Sequence, residues 1–365
     1  MNREFHYYMP TRIHFGSGRL QELTGLLDPA WKRILVVSDR GVAECGLLDR
    51  VKKELTGREV GSVTEISVNP SFTDVEAGAV KAREFQPDLI VGLGGGSPMD
   101  AAKGIAMLAA NPMRLRDLLD GLPRERDPLP VVCIPTTSGT GSEVTPYAVF
   151  TDLENGNKCG YADEKIFPRL ALVDPALTFS MPTSLVVNTG LDVLTHALES
   201  YLSVLAFPFT DALAMQALEV VTASLPAAAA HDRSAQEKMA YAAAIAGITI
   251  ANAGTILLHV QAYPLTVFHG IPHGRANAIL LPRFLDFLRR SSSVPGKLER
   301  IDAIFAPYGG VAAFLASLGV STDLRDYGVQ AEEIPMYVRK TIVKSDVPLT
   351  PAPVSEADIA SIYGM

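Results

Sequence analysis

The segment DLIVGLGGGSPMDAAKG, residues 88–104, constrains this 365-residue chain more than any other. An unbroken apolar run of strand length ends in three consecutive glycines, and the small and polar residues that follow read as a helix. Ser97 is placed as the N-cap of that helix, Pro98 at its first position and Asp100 at its third. Bare backbone N–H groups at a helix N-terminus, together with the helix dipole, form an anion site. The loop is not the GxGxxG fingerprint, because Ser97 holds its last glycine position. A tight strand-to-helix turn is the plainer reading, but three glycines exceed what a turn requires.

Such a unit belongs in a parallel sheet covered on both faces. RILVVSD (33–39), GSVTEISV (61–68) and LPVVCIPTT (129–137) predict further buried strands. One helix is predicted over GVAECGLLDRVKKELT and another over TDVEAGAVKAREF, the second capped by Thr73. After LALVDPALTFSMP (170–182) the strand signal stops and helical periodicity takes over. Two domains are therefore expected: an α/β domain over 1–180 and an all-helical domain over 181–365.

With 48% hydrophobic and 20% charged residues, the chain can bury a large core, which excludes disorder as its main state. Thirty-two basic against 40 acidic residues give a net charge of −8 with no basic run, so no nucleic-acid partner is expected. Cys45, Cys133 and Cys159 are widely spaced and form no CxxC; they read as reduced thiols of a cytoplasmic protein. The start, MNREFHYYMP, lacks the basic and apolar regions of a secretory signal. Residues 239–274 contain no Asp, Glu, Lys or Arg. Asn252, His259, Gln261 and Pro264 interrupt the ~20 apolar residues a bilayer span needs, so this run reads as a helix buried on all sides and no membrane partner is expected.

Three further features carry chemistry. PTTSGTGSEVT (135–145) places Thr136, Thr137, Ser138, Thr140 and Ser142 around two glycines after a strand. Such hydroxyls wrap a nucleotide or satisfy a turn, and two polar loops on neighbouring parallel strands favour a nucleotide crevice. Asp39 ends ILVVSD, where a carboxylate either caps a helix or takes both ribose hydroxyls of an adenosine and repels a 2′-phosphate. Asp192 and His196 stand four apart in GLDVLTHALES and share one face of an apolar helix. A buried carboxylate needs a partner, and a divalent cation is one. His259 and His273 follow within the uncharged run, giving one carboxylate and three imidazoles, a set that suits Fe²⁺, Zn²⁺, Mn²⁺ or Ni²⁺. Any one of these histidines alone is better explained as a hydrogen-bonded core residue.

GGGSPMDAAKGIA, IPTTSGTGSEVTPYAVFTD, LALVDPALTFSMP, TGLDVLTHALESY and HGIPHGRANAILLP, in this order, resemble the iron-containing (group III) alcohol dehydrogenase family. The resemblance implies a parallel-sheet dinucleotide-binding domain, an all-α second domain and an architecture shared with dehydroquinate synthase. It implies metal ligands Asp192, His196, His259 and His273. Cofactor contacts are implied at Asp39, Asn69, Gly95, Gly96, Ser97, Asp100, Thr136, Thr137, Thr140, Ser142, Lys158 and Leu177. Lys158, following the acidic turn DLENGNK, otherwise reads as a surface residue.

The activity implied is hydride transfer between a small alcohol or diol and NAD(H), with Fe²⁺ or Zn²⁺ and an aldehyde product. Glycerol dehydrogenases, dehydroquinate synthase and metal-independent maleylacetate reductases share the architecture. The absence of Lys and Arg over 239–274 argues against the synthase, and the full ligand set against the reductase. Where many members carry a proton-relay histidine four residues after the third ligand, this chain has Tyr263, leaving Tyr263, His269 or solvent to carry the proton. Beyond residue 290 the sequence diverges, so substrate choice is not inherited. Residues 4–17, EFHYYMPTRIHFGS, read as two short strands, and the resemblance implies that they pair across a two-fold axis in a homodimer or larger assembly.

Overall fold

The structure, a computed structural model, describes residues 4–364. The chain forms two compact units: Met9–Ser180, and Met181–Met365 joined by Met1–Tyr8.

Eight strands lie in the first unit: β1 (Arg12–Phe15), β2 (Arg33–Val37), β3 (Glu59–Val63), β4 (Leu89–Gly94), β5 (Val131–Pro135), β6 (Tyr147–Asp152), β7 (Asn157–Ala162) and β8 (Leu170–Val173). Six form one sheet in the order β1-β8-β5-β4-β2-β3, with every pair parallel. Successive residues of a strand feed opposite faces. Ile34, Val36, Leu89 and Val91 join one apolar cluster, and Leu35, Val37 and Ile90 join the other. Burial on both faces explains the unalternated strand sequences. The strand order reverses direction between β2 and β4, which makes their carboxyl ends the topological switch point where ligands of open α/β sheets bind.

Several local expectations are corrected. The strand expected over 61–68 runs Glu59–Val63. The helix expected after β2 is two, Arg40–Glu44 and Leu47–Glu54, interrupted at Cys45 and Gly46. Ser71, not Thr73, caps the helix Phe72–Phe85, in a reciprocal capping box with Asp74. Gly95, not Ser97, is the N-cap of the helix Gly96–Ala110. The antiparallel hairpin β6–β7 has no counterpart in the sequence reading.

The second unit is helical, with Thr183–Leu202, Pro208–Ala229, Arg233–Ala253, Leu257–His269 and His273–Ser291 around one apolar core. The uncharged run expected as a single buried helix is two helices bent by 113°. Gly254, at φ 70°, follows the first of them, and only glycine adopts this conformation without strain. Pro208–Ala229 is long and apolar enough to cross a membrane, yet half of its most apolar window is buried inside the fold. Its buried face carries Ala214, Leu218, Val221, Leu225 and Ala228, the spacing of a helix packed on a core. Ser355 and Asp358 form the capping box of the last helix, Glu356–Tyr363.

Only one of the two N-terminal strands forms. β1 pairs with β8 at the sheet edge. Before it, Phe5 stacks on Phe207 with centroids 4.3 Å apart, Tyr7 meets Phe209 edge-on at 4.8 Å, and the Tyr8 N–H donates to Asn252 Oδ1 at 3.0 Å. Aromatic packing on the helical unit thus takes this segment out of a ladder.

Candidate dinucleotide crevice and metal centre

The glycine loop leaves β4 at the switch point, and its helix is fifteen residues long. Asp39, at the exit of β2, caps the next helix by accepting from Val42 N at 2.9 Å through Oδ1. Its Oδ2 lies 3.4 Å from where a Cβ on Gly94 would stand, so the carboxylate is beside the glycine loop as well as capping. Asn69, at φ 57°, donates its N–H to Ser97 Oγ at 3.0 Å. Thr136 N–H donates to Gly94 O at 2.9 Å, tying the second polar loop to the first.

The fit between those loops is close. A Cβ on Gly95 would stand 3.3 Å from Thr137 Oγ1, and one on Gly96 only 2.6 Å from Thr140 Cγ2. Part of the need for glycine here is therefore the neighbouring loop, not a ligand. Asp100 accepts from Ser142 Oγ at 2.6 Å and from Val149 N at 2.9 Å. Burial pushes its carboxyl up, against the opposing charges of Lys103 and Lys158. Lys158 is buried on β7 opposite Thr151, not at the surface. Leu177 lies in the apolar core beyond β8 and offers no polar group.

Two residues of this region were not read from the sequence. Lys103 is fully buried, and its ammonium donates to Ser142 O and Tyr147 O, each at 2.7 Å, to Ser142 Oγ at 2.9 Å and to Thr145 O at 3.0 Å. Burial lowers its pKa, with Asp100 and Glu143 opposing. Glu143 is also buried, and burial pushes its carboxyl up to about 7.

In the helical unit, Asp192 and His196 project from Thr183–Leu202, and His259 from the first turn of Leu257–His269. All three are buried, and one ligand atom from each lies within 4.8 Å of the others. His196 Nε2 and His259 Nε2 are 3.1 Å apart, and His259 Nε2 is 3.9 Å from Asp192 Oδ1. Two imidazole nitrogens that share an ion at about 2.0–2.1 Å sit roughly 3 Å from each other, so the donor set and its spacing fit a divalent cation. His273 opens the helix His273–Ser291, and its ring meets that of His259 edge-on with centroids 4.6 Å apart. It stands beside the trio but outside its 4.8 Å circle.

Glu199 and Asn277 complete the surroundings, and neither was read from the sequence. His259 Nδ1–H donates to Glu199 Oε1 at 2.7 Å, and Asn277 Nδ2 donates to Asp192 Oδ1 at 3.3 Å. Burial raises the Glu199 carboxyl, against the pull of His259. Burial would lower His259, but the Glu199 and Asp192 carboxylates outweigh it and raise the imidazole. Glu199 lies three residues after His196 and seven after Asp192, so the helical period that found the first pair reaches it too.

The two relay candidates are placed differently. Tyr263 is half-buried, its ring 5.5 Å from that of His273. His269 Nε2 is 2.8 Å from Tyr337 Oη and 3.3 Å from Glu333, a cluster joining the end of its helix to Ile334–Ile342.

A doubly covered parallel sheet with a glycine loop at its switch point, and a helical unit holding a buried carboxylate–imidazole trio, define a metal- and nucleotide-dependent enzyme. The model of iron-containing alcohol dehydrogenases matches residues 10–175, and that of the family's C-terminal domain matches residues 186–365. The chain is 35% identical to the NADPH-dependent butanol dehydrogenase of Clostridium saccharobutylicum, over 90% of this chain and 88% of that one. It is 34% identical to the lactaldehyde reductase of Escherichia coli K12, over 96% of each. The crystal structure of an iron-containing alcohol dehydrogenase from Thermotoga maritima superposes with a TM-score of 0.90 at 38% identity, covering 99% of this chain and 98% of that one. A sulfoacetaldehyde reductase from Bifidobacterium kashiwanohense in complex with NAD⁺ gives 0.92 at 29%, covering 100% and 98%. The chain belongs to the iron-containing alcohol dehydrogenase family, and its activity is that of a metal-dependent alcohol dehydrogenase or aldehyde reductase.

Proposed function

We propose that the protein interconverts a small alcohol or diol and its aldehyde with NAD(H), using Fe²⁺, or Zn²⁺ in its place, held by Asp192, His196, His259 and His273. The observation that carries this reading is the buried trio, whose ligand atoms converge within 4.8 Å inside the helical unit. When bound, the ion supplies Lewis acidity toward a substrate oxygen. The residues of the chain divide the remaining work. Met9–Ser180 acts as the dinucleotide-binding domain, and the Gly95–Ser97 turn at its helix N-terminus takes the pyrophosphate. Asn69, Asp100, Thr136, Thr137, Thr140, Ser142 and Lys158 shape the crevice, and Leu177 supplies apolar wall. Asp39 accepts from the adenosine ribose and disfavours a 2′-phosphate. The NADPH-dependent relative sets the contrary case, and kcat/KM with NAD⁺ and with NADP⁺ decides between the two.

For the alcohol proton we assign Tyr263 or solvent, because His269 is already engaged by Tyr337 and Glu333. Tyrosine has an ordinary pKa near ~10 and histidine near ~6.5, so a tyrosine is a poorer neutral-pH shuttle than the histidine of other members. We propose a homodimer or larger assembly in the cytoplasm. Support for the first is that β1 closes the sheet edge with no further strand on its outer side among the described residues. Support for the second is that Cys45, Cys133 and Cys159 are all free thiols. Elemental analysis together with an NADH-consumption screen over small aldehydes, diols and glycerol tests the reading. Absence of stoichiometric iron or zinc, or stoichiometric metal retained in a His196→Ala, His259→Ala variant, refutes it. Light scattering that shows a monomer at micromolar concentration refutes the assembly.

A further inference from the structure

We infer that Glu199 is the positioning residue of the metal centre: one carboxylate fixes the His259 imidazole and caps the helix that carries it. This rests on the metal reading above. The side chain is fully buried, and both of its oxygens are committed. Oε1 accepts from His259 Nδ1–H at 2.7 Å, while Oε2 accepts from Ile256 N at 2.8 Å and from His259 N at 3.2 Å.

The helix Leu257–His269 needs such a partner. It starts after the 113° bend, and its N-cap residue, Ile256, has no side-chain acceptor for the open N–H groups of the first turn. An ionised carboxylate is acceptor-only and can take several donors at once, which matches the three donors here. The helix dipole favours negative charge at the same end.

The consequence for His259 is chemical. With Nδ1 held as a donor, the neutral ring has its lone pair on Nε2. That nitrogen faces His196 Nε2 at 3.1 Å and Asp192 Oδ1 at 3.9 Å. Asp192, His196 and Glu199 lie on one face of one helix, so that face supplies two ligands directly and orients a third that arrives on another helix. A hydrogen bond from the remote nitrogen of a ligating histidine to a carboxylate fixes tautomer and ring orientation.

Glutamine is the informative substitution. Its amide has one acceptor and one donor end. If its oxygen faces Nδ1, its NH₂ meets the N–H groups of Ile256 and His259; if reversed, its NH₂ forces the proton of His259 onto Nε2. Zn²⁺ affinity, read by chelator competition, is expected to fall about 10–100-fold in Glu199→Gln. Glu199→Asp, which keeps the charge on a shorter arm, is expected to fall between the two. NADH titration should be the same in all three proteins, which separates this loss from misfolding. A readout free of metal, and taken on the wild-type protein, is the imidazole ¹⁵N spectrum of the metal-free protein at alkaline pH, with His259→Ala used only to identify the His259 signals. The proton is expected on Nδ1. Finding it on Nε2, or Zn²⁺ affinity in Glu199→Gln within threefold of wild type, overturns the assignment. If the wild-type protein binds no stoichiometric metal, the metal reading fails, while the tautomer still decides what Glu199 does to His259.

Discussion

Replacing Lys103 by methionine should loosen the nucleotide crevice without touching the metal centre. The side chain is fully buried, and the loop Ser142–Tyr147 closes on its ammonium through four bonds of 2.7–3.0 Å. Methionine refills most of the volume but leaves the carbonyls of Ser142, Thr145 and Tyr147 without this donor. Each buried acceptor so deprived costs about 1–3 kcal/mol. Asp100 and Glu143 also lose the cation that opposes the burial of their charge. Repacking and Glu143 protonation recover part of this, which places the net cost near the ~3–5 kcal/mol of a broken buried ion pair. For a unit the size of Met9–Ser180 each kcal/mol lowers Tm by roughly 2–4 °C, so calorimetry should show a drop of about 6–20 °C in that unit's transition. Ser142 keeps its bond to Asp100, but the segment Ser142–Tyr147, which continues the loop that contacts Gly95 and Gly96, loses its Lys103 anchor. NADH affinity should therefore fall about tenfold or more, the equivalent of ~1.4 kcal/mol, with metal content unchanged. A Tm within about 2 °C of wild type, or unaltered NADH affinity, would show that Lys103 is a buried passenger and refute the reasoning.

Three further outcomes are expected. Asp39→Ala should lower the ratio of kcat/KM for NAD⁺ over NADP⁺ about tenfold, since like charges at ~4 Å cost on the order of 1–4 kcal/mol. It should also cost about 1 kcal/mol of stability through the lost cap, and a ratio unchanged by the substitution removes Asp39 from cofactor choice. Gly96→Ala drives a Cβ to 2.6 Å from Thr140 Cγ2 and should cost about 1–3 kcal/mol. Thr140→Ala in the same chain should recover most of that loss in a denaturant titration. Glu143, held near 7 when folded against 4.5 as its ordinary value, contributes stability that is present below about pH 4.5 and lost as pH rises through about 7. Relative to Glu143→Gln, the wild-type protein should therefore gain roughly 3 kcal/mol between pH 8 and pH 4.5, and parallel urea curves at the two pH values would contradict it.

The sheet was legible because burial on both faces leaves strands such as ILVV and LIVGLG apolar at every position, a signal that needs no partner to interpret. The hairpin β6–β7 was not, because only β6, YAVFTD, carries a strand pattern and its partner β7 does not. NKCGYA reads as a turn until Lys158 is seen buried opposite Thr151. The 113° bend was hidden for a related reason. The stretches on both sides of the bend carry no charge, so composition alone gives no boundary, and only Gly254 marks the place.

At the sites the division is sharper. Asp192 and His196 could be paired from spacing because both lie on one helix, and charge in an apolar stretch calls for a partner. Glu199 lies on that same face yet was not singled out, because its partners, Ile256 N and the two nitrogens of His259, are more than fifty residues away in sequence. Lys103 is the same case in the other unit: it sits seven residues after Gly96 in the glycine segment, but its four acceptors all belong to residues 142–147. In both, a buried charge joins two segments that the sequence presents separately. Spacing finds groups that share an element; a charge whose partners lie on another element is visible only once the fold has shown what compensates its burial.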